Sequence, residues 1–321
     1  MNRDDEVIQP LLDLRGIGKR YVRADGRTVD ALAHVSLQVN RHETLGLVGE
    51  SGCGKSTLAR IAMRLLPVSE GRIVFDGDDV TTRPRRALAA LRPRMQMVFQ
   101  DPFASLNPRL TIGRALEEPL IVQRRFSAGE RRDRVIAMLA RVGLAADAVQ
   151  RHPHEFSGGQ RQRIAIARAL ILEPELLVCD EAVSALDVSV RAQVLNLLLE
   201  LRTSLGLAML FISHDLAVVR HMSDRVAVMY LGRVVELADR DALWRWPLHP
   251  YTQALMAAAP HADAAPGIRN APIHGEVPSA LAPPSGCAFH PRCPRATDRC
   301  RTEAPALSTR DNGHAVACHF A

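Results

Sequence analysis

The run Gly49-Glu50-Ser51-Gly52-Cys53-Gly54-Lys55-Ser56-Thr57 has the residue types and spacing needed to hold a polyphosphate. Its glycines let the backbone wrap around phosphate oxygens with N–H groups turned inward, and a helix N-terminus directly after it adds partial positive charge. Lys55 is placed to grip the β and γ phosphates, the Ser56 hydroxyl to ligate Mg2+, and Thr57 to contact a phosphate oxygen. A Gly-rich turn without function is the competing reading. It loses ground because an apolar strand candidate, Thr44 to Val48, precedes the run and a helix-forming stretch, Leu58 to Leu66, follows it.

A second constellation is Glu175-Leu176-Leu177-Val178-Cys179-Asp180-Glu181, where an apolar run delivers two carboxylates at its carboxyl end, the edge at which α/β sheets bind ligands. Asp180 is suited to reach Mg2+, directly or through water, and Glu181 to polarise an attacking water as general base. Alone, such a run is as readily a solvated strand end as a catalytic pair. Its weight comes from following the phosphate loop. Leu210-Phe211-Ile212-Ser213-His214-Asp215 repeats the design and offers His214 to a γ-phosphate, although an isolated histidine is more often a satisfied structural residue. Phe156-Ser157-Gly158-Gly159-Gln160 opens a helix running on through Ile164 to Leu172, so it has the form of a second anion-binding helix start. With one phosphate loop already holding its own nucleotide, that second start is redundant unless it serves a nucleotide on another subunit.

These groups must be positioned by an α/β domain. From Leu11 to about Ala238 short apolar runs alternate with helical patterns, which predicts a mostly parallel sheet. Strand candidates are Thr44 to Val48, Met95 to Phe99, Leu176 to Cys179, Met209 to Ile212 and Val226 to Met229. The helix from Val188 to about Leu205 sets Val194, Leu197, Leu198 and Leu201 on one face, as a core stripe. Ser127 followed by Glu130 reads as a capping box opening the helix that carries Val135, Met138 and Leu139, so the stretch from about 102 to 156 reads as a helical insertion. Residues 1–10 read as a flexible N-terminus, 11–240 as the domain, and 241–321 as a Cys- and Pro-rich C-terminal appendage. Pro247, Pro250, Pro260, Pro266, Pro272, Pro278, Pro283 and Pro284 interrupt the appendage, leaving one short helix near Tyr251 to Ala258 and little core.

The composition is that of a soluble globular protein, with 47% apolar and 24% charged residues among 321. No apolar run approaches the roughly 20 residues of a membrane-spanning helix, and the first residues lack the features of a secretory signal. A cytosolic location is therefore the default. The net charge of +6 admits nucleic acid or an anionic membrane surface as partner, or simply an Arg-rich soluble surface. The last is preferred because the basic residues are scattered, with the densest patches at Arg83 to Arg94 and Arg124 to Arg134.

In their order and spacing along the chain, GESGCGKS, Gln100, FSGGQ, LLVCDE, SALD and SHD make the sequence resemble an ATP-binding cassette (ABC) subunit. The resemblance implies a P-loop NTPase cassette with an N-terminal antiparallel β part, and a head-to-tail pair of cassettes hydrolysing Mg-ATP. In such a pair Ser157, Gly158, Gly159 and Gln160 would cover the ATP held by the partner's loop. Asp187 would cross the same interface. Gln100 would sense the γ-phosphate, Mg2+ and water, and Tyr21 would stack on adenine. Ala182 departs from the family, which usually has Pro after the catalytic Glu; the change removes a rigid φ but no chemical group.

MQMVFQDPFASLNPR, SALDVSVRAQVLNLL, HPYTQAL and GCAFHPRCP narrow the resemblance to the ATPase subunits of dipeptide and oligopeptide importers. That implies a second cassette, paralogous or a copy of this chain, two integral-membrane permease subunits, and indirectly an extracytoplasmic substrate-binding protein. Such a subunit sits peripherally on the cytoplasmic face of the membrane, and no nucleic acid partner is expected. Two of the six cysteines, Cys53 and Cys179, lie in the ATPase motifs, whereas Cys287, Cys293, Cys300 and Cys318 crowd the C-terminal end. Members of the resembling family carry a [4Fe-4S] cluster there; Zn2+, with His290 and His319 as further ligands, free thiols and a redox pair stay open. The rival functions are a soluble cassette ATPase acting on nucleic acid or ribosomes and a metal-sensing regulatory ATPase. The first usually shows a second cassette, a long coiled-coil insertion or zinc-finger insertions, none of which is visible.

Overall fold

The computed structural model describes residues 9–22, 24–101, 106–258, 275–279, 281–310 and 313–321. Most of the expected flexible N-terminus, the first residues of the helical insertion, and Pro260, Pro266 and Pro272 lie outside these residues. The chain forms two compact units, Met1–Thr82 with Phe211–Ala321, and Arg83–Leu210.

In the first unit the expected antiparallel part is a four-stranded sheet in the order Thr28–Val39, Leu12–Val22, Glu70–Phe75 and Asp78–Asp79. Thr44–Val48, buried at every residue, pairs parallel with Arg225–Tyr230, Leu45 opposite Arg225 and Val48 opposite Val228. A strand buried along its whole length fits a sheet covered on both faces. Arg225–Tyr230 turns back antiparallel into Arg233–Asp239 through Leu231 and Gly232, both at positive φ, as the right-handed twist of a two-residue hairpin requires.

The C-terminal segment then completes this sheet. Ala315–Val316 pairs with Arg233–Asp239, and Ser308–Thr309 pairs with Ala315–Val316. The helix Pro250–Ala258 matches the expectation, but the segment has more core than its prolines suggest, because Tyr251, Phe289, Cys300 and Val316 are all buried. Its apolar residues are spaced without a helical or strand period, so the pattern was silent.

In the second unit Met95–Val98 lies parallel to Leu176–Asp180, with Met95 opposite Leu176. The insertion contains the helices Ile112–Gln123, capped by Thr111, and Ala128–Arg141, opened by the expected Ser127/Glu130 capping box. Arg131 pairs with Glu117, Arg134 with Glu173 and Arg94 with Glu175, so the two basic patches are partly spent on internal ion pairs. Val194, Leu197, Leu198 and Leu201 of the helix Val188–Leu205 are buried as a stripe, each contributing about 1.5–3 kcal/mol of apolar burial. The buried strand Ala208–Ile212 carries the chain back into the first unit.

Candidate functional site

The Gly-rich run is a loop between the buried strand Thr44–Val48 and the helix Lys55–Ala62, the order that its chemistry needs. Two of its glycines are fixed by close approach of backbone. A Cβ on Gly49, at φ 154, would stand 2.2 Å from the Met229 carbonyl oxygen, and one on Gly54, at φ 105, would stand 2.6 Å from that of Ala31. The hairpin turn holds the loop from outside, the Gly232 N–H donating to the Cys53 carbonyl over 2.9 Å. Lys55 is buried, and its ammonium donates to the carbonyls of Gly49 and Glu50 at 2.7 and 3.0 Å, so the cation lies inside the loop's own curve. Gly49, Glu50, Ser51, Gly52, Cys53, Gly54, Lys55, Ser56 and Thr57 thus lie together where the strand passes into the helix.

The same unit holds Tyr21 and His214. Tyr21 lies near the end of the strand Leu12–Val22, 38% exposed, with Lys19 Nζ 5.1 Å from its ring centroid. His214 is exposed just beyond the strand Ala208–Ile212, and Asp215 after it caps the helix Leu216–Met222.

In the second unit Asp180 ends the strand Leu176–Asp180 and is buried, and Glu181 follows with φ 50. A left-handed glutamate is strained by roughly 1 kcal/mol or more. Ser184 secures it by donating to the Glu181 carbonyl twice, from its N–H at 3.1 Å and its hydroxyl at 3.0 Å. The Glu181 carboxylate accepts from Gln100 Nε2 at 3.1 Å, which joins two expected site residues far apart in sequence. Ser157 begins the helix Gly158–Leu170 with a full capping box: its hydroxyl accepts from the Gln160 N–H at 3.3 Å, and the Gln160 side chain takes the Ser157 N–H at 3.0 Å. Gly158 is exposed and has room, since a Cβ there would stand 3.9 Å from Leu186, an ordinary van der Waals contact. Gly159 has none, for its Cβ would meet Val190 at 2.3 Å. Packing therefore demands Gly159 whatever else it does. Asp187 is exposed at the start of Val188–Leu205.

Burial raises the Cys53 thiol pKa, and burial with the neighbouring Asp180 pushes Cys179 up to about 12, so both motif cysteines stay protonated near neutral pH. Cys287, Cys293, Cys300 and Cys318 line one small cavity with His290 and His319, and burial raises the thiols of Cys287 and Cys293. Among the described residues no three His, Cys, Asp or Glu side chains are arranged to hold a metal ion.

Sequence reasoning missed two partners of the loop. The Glu50 N–H donates to Tyr251 Oη at 2.9 Å, and the Glu50 carboxylate receives Arg292 Nη1 and Nη2 at 2.8 and 3.0 Å. HPYTQAL and GCAFHPRCP contain both residues, but nothing in their spacing links them to Glu50.

Residues 32–184 match the family model described as ABC transporter, and residues 235–300 that described as oligopeptide/dipeptide transporter, C-terminal region. A probable peptide ABC transporter ATP-binding protein of Sinorhizobium fredii is 56% identical over 315 residues, covering 96% of this chain and 89% of that one. The dipeptide transport ATP-binding protein DppF of Haemophilus influenzae is 49% identical over 316 residues, covering 96% of each. Among solved structures, the dimeric post-hydrolysis ATP-binding cassette MJ0796 with ADP and Pi superposes with a TM-score of 0.65 at 30% identity, covering 71% of this chain and 98% of that one.

Proposed function

This chain belongs to the ABC transporter family, as an ATP-binding subunit of the oligopeptide/dipeptide transporter type, and from that premise we propose how its residues drive peptide import. It is the ATP-hydrolysing, energy-coupling subunit of the importer. The observation that carries the mechanism is the Gln100–Glu181 hydrogen bond at the carboxyl end of a buried strand, which orients the carboxylate.

The Gly49–Thr57 loop binds the triphosphate, with Lys55 on the β and γ oxygens. Ser56, Gln100 and Asp180 offer a hydroxyl, an amide oxygen and a carboxylate, the hard oxygen donors that suit Mg2+. When bound, Mg2+ neutralises charge on the β and γ oxygens. Glu181 takes the proton of the attacking water, and His214 hydrogen-bonds the γ-phosphate. Tyr21 offers its ring to adenine. Ser157, Gly158, Gly159, Gln160 and Asp187 close the nucleotide of a facing cassette, a reading supported by the dimeric state of the structural relative.

The partners are a second cassette, paralogous or a copy of this chain, two membrane permease subunits and, through them, an extracytoplasmic peptide-binding protein. The subunit sits peripherally on the cytoplasmic face, a reading supported by its transporter ATP-binding relatives; no helix among the described residues is long and apolar enough to cross a membrane. For the cysteines we propose a [4Fe-4S] cluster, with Zn2+ as the alternative: four thiols are the right donors, and all four line one cavity. Binding either requires the sulfurs to draw together from their positions here. Iron, sulfide and zinc analysis of anaerobically purified protein decides between them.

Glu181→Gln tests the mechanism. The variant is expected to bind ATP as the parent does, to lose turnover, and to accumulate as a nucleotide-bound dimer in size-exclusion chromatography; turnover at the parent rate removes Glu181 from the role of base.

A further inference from the structure

Glu50 is an unfavourable residue for a loop that wraps a triphosphate. A carboxylate there repels the ligand, and at the effective dielectric of about 20 near a protein surface such repulsion reaches several ångströms. The structure answers it with Arg292. The guanidinium grips both carboxylate oxygens in a fork, its side chain only 5% exposed against 23% for Glu50. Arg292 also donates to Tyr230 Oη at 3.4 Å. Tyr230 packs against Tyr251 with ring centroids 4.6 Å apart, and Phe289 lies edge-on to Tyr230 at 5.3 Å. Tyr251, fully buried, fixes the backbone of the same loop residue by accepting the Glu50 N–H.

We infer that Arg292 is a positioning residue for ATP binding: it cancels the charge of Glu50 and holds the phosphate loop in shape from the C-terminal region of the chain. Two charges so withdrawn from water depend on each other, and removing the guanidinium alone strands the carboxylate beside the nucleotide. This rests on Gly49–Thr57 being the ATP site, which Lys55→Ala tests by itself.

The experiment is calorimetric titration of Mg-ATP into the purified full-length chain and its variants, with circular dichroism to check folding. Arg292→Gln is expected to weaken ATP binding about tenfold, through the uncompensated carboxylate. Adding Glu50→Gln removes that carboxylate, so the double variant is expected to bind within about threefold of the parent. A general packing role for Arg292 predicts the opposite, a double variant no better than the single. Arg292→Lys keeps the charge but not the fork and should fall between parent and Arg292→Gln. If Arg292→Gln does not fold, Arg292→Lys with and without Glu50→Gln makes the same comparison. Parent-like affinity in Arg292→Gln, or a double variant no tighter than it, overturns the inference. Parent-like affinity in Lys55→Ala overturns the site assignment instead.

Discussion

Glu236→Ala should be among the most destabilising single changes in this chain. Glu236 is fully buried in the strand Arg233–Asp239, and its carboxylate accepts from the Leu248 N–H at 2.6 Å, the His249 N–H at 3.0 Å and His314 Nε2 at 2.7 Å. It thereby ties two separate stretches of the C-terminal segment to this strand. Truncation leaves three buried donors unmet, each costing about 1–3 kcal/mol, and water entering the space recovers part of the loss. The expected cost is about 4 kcal/mol, a large share of the roughly 5–15 kcal/mol that holds a domain together. Glu236→Gln keeps an acceptor but turns an amide N–H toward a donor, so it should cost about half as much. Urea unfolding followed by tryptophan fluorescence measures both, because Trp244 and Trp246 lie a few residues downstream in the same unit. A loss below about 1 kcal/mol for Glu236→Ala at unchanged denaturant slope would refute the reasoning, since the three bonds would then be dispensable.

Gly159→Ala should lose about 1–3 kcal/mol from the clash with Val190 and recover in combination with Val190→Ala, whereas Gly158→Ala should melt at or above the parent temperature. Equal melting temperatures for the two single variants would remove the packing explanation. His249 is buried and held at a pKa of about 4, below its ordinary 6.5, chiefly by loss of hydration. Between those values the unfolded chain binds the proton that the folded chain refuses. The contribution is therefore complete above about pH 6.5 and is lost as pH falls toward 4, by about 3 kcal/mol in all. Urea midpoints for the parent and His249→Gln at pH 7.5, 6 and 5 should converge as the solution is acidified; parallel decline would show that another group titrates.

The residues with chemistry were the most legible part of the sequence because each sits where a periodic element ends. Thr44–Val48 and Leu176–Asp180 are buried along their whole length, so their apolar runs announced strands, and the polar residues after them marked the binding edge. The Ser127 capping box and the stripe of Val194, Leu197, Leu198 and Leu201 were likewise written in local spacing. What stayed hidden was long-range. Glu50 and Arg292 meet from opposite ends of the chain, and Glu236 looks like any strand residue until His314 and the backbone of Leu248 and His249 close on it. Gly159 carried a signal, but the signal pointed to nucleotide, and only the contact with Val190 adds its second reason.

The division of the chain sets the order in which the parts of each unit are synthesised. Arg83–Leu210 is one continuous stretch, while the Gly-rich turn made earlier belongs to a unit completed only by residues from Phe211 onward. During synthesis that turn waits without the tyrosine and arginine that later brace it. The braces on that turn are therefore among the last residues the growing polypeptide receives, and a chain ended before Tyr251 lacks both the tyrosine on the Glu50 N–H and the arginine on its carboxylate.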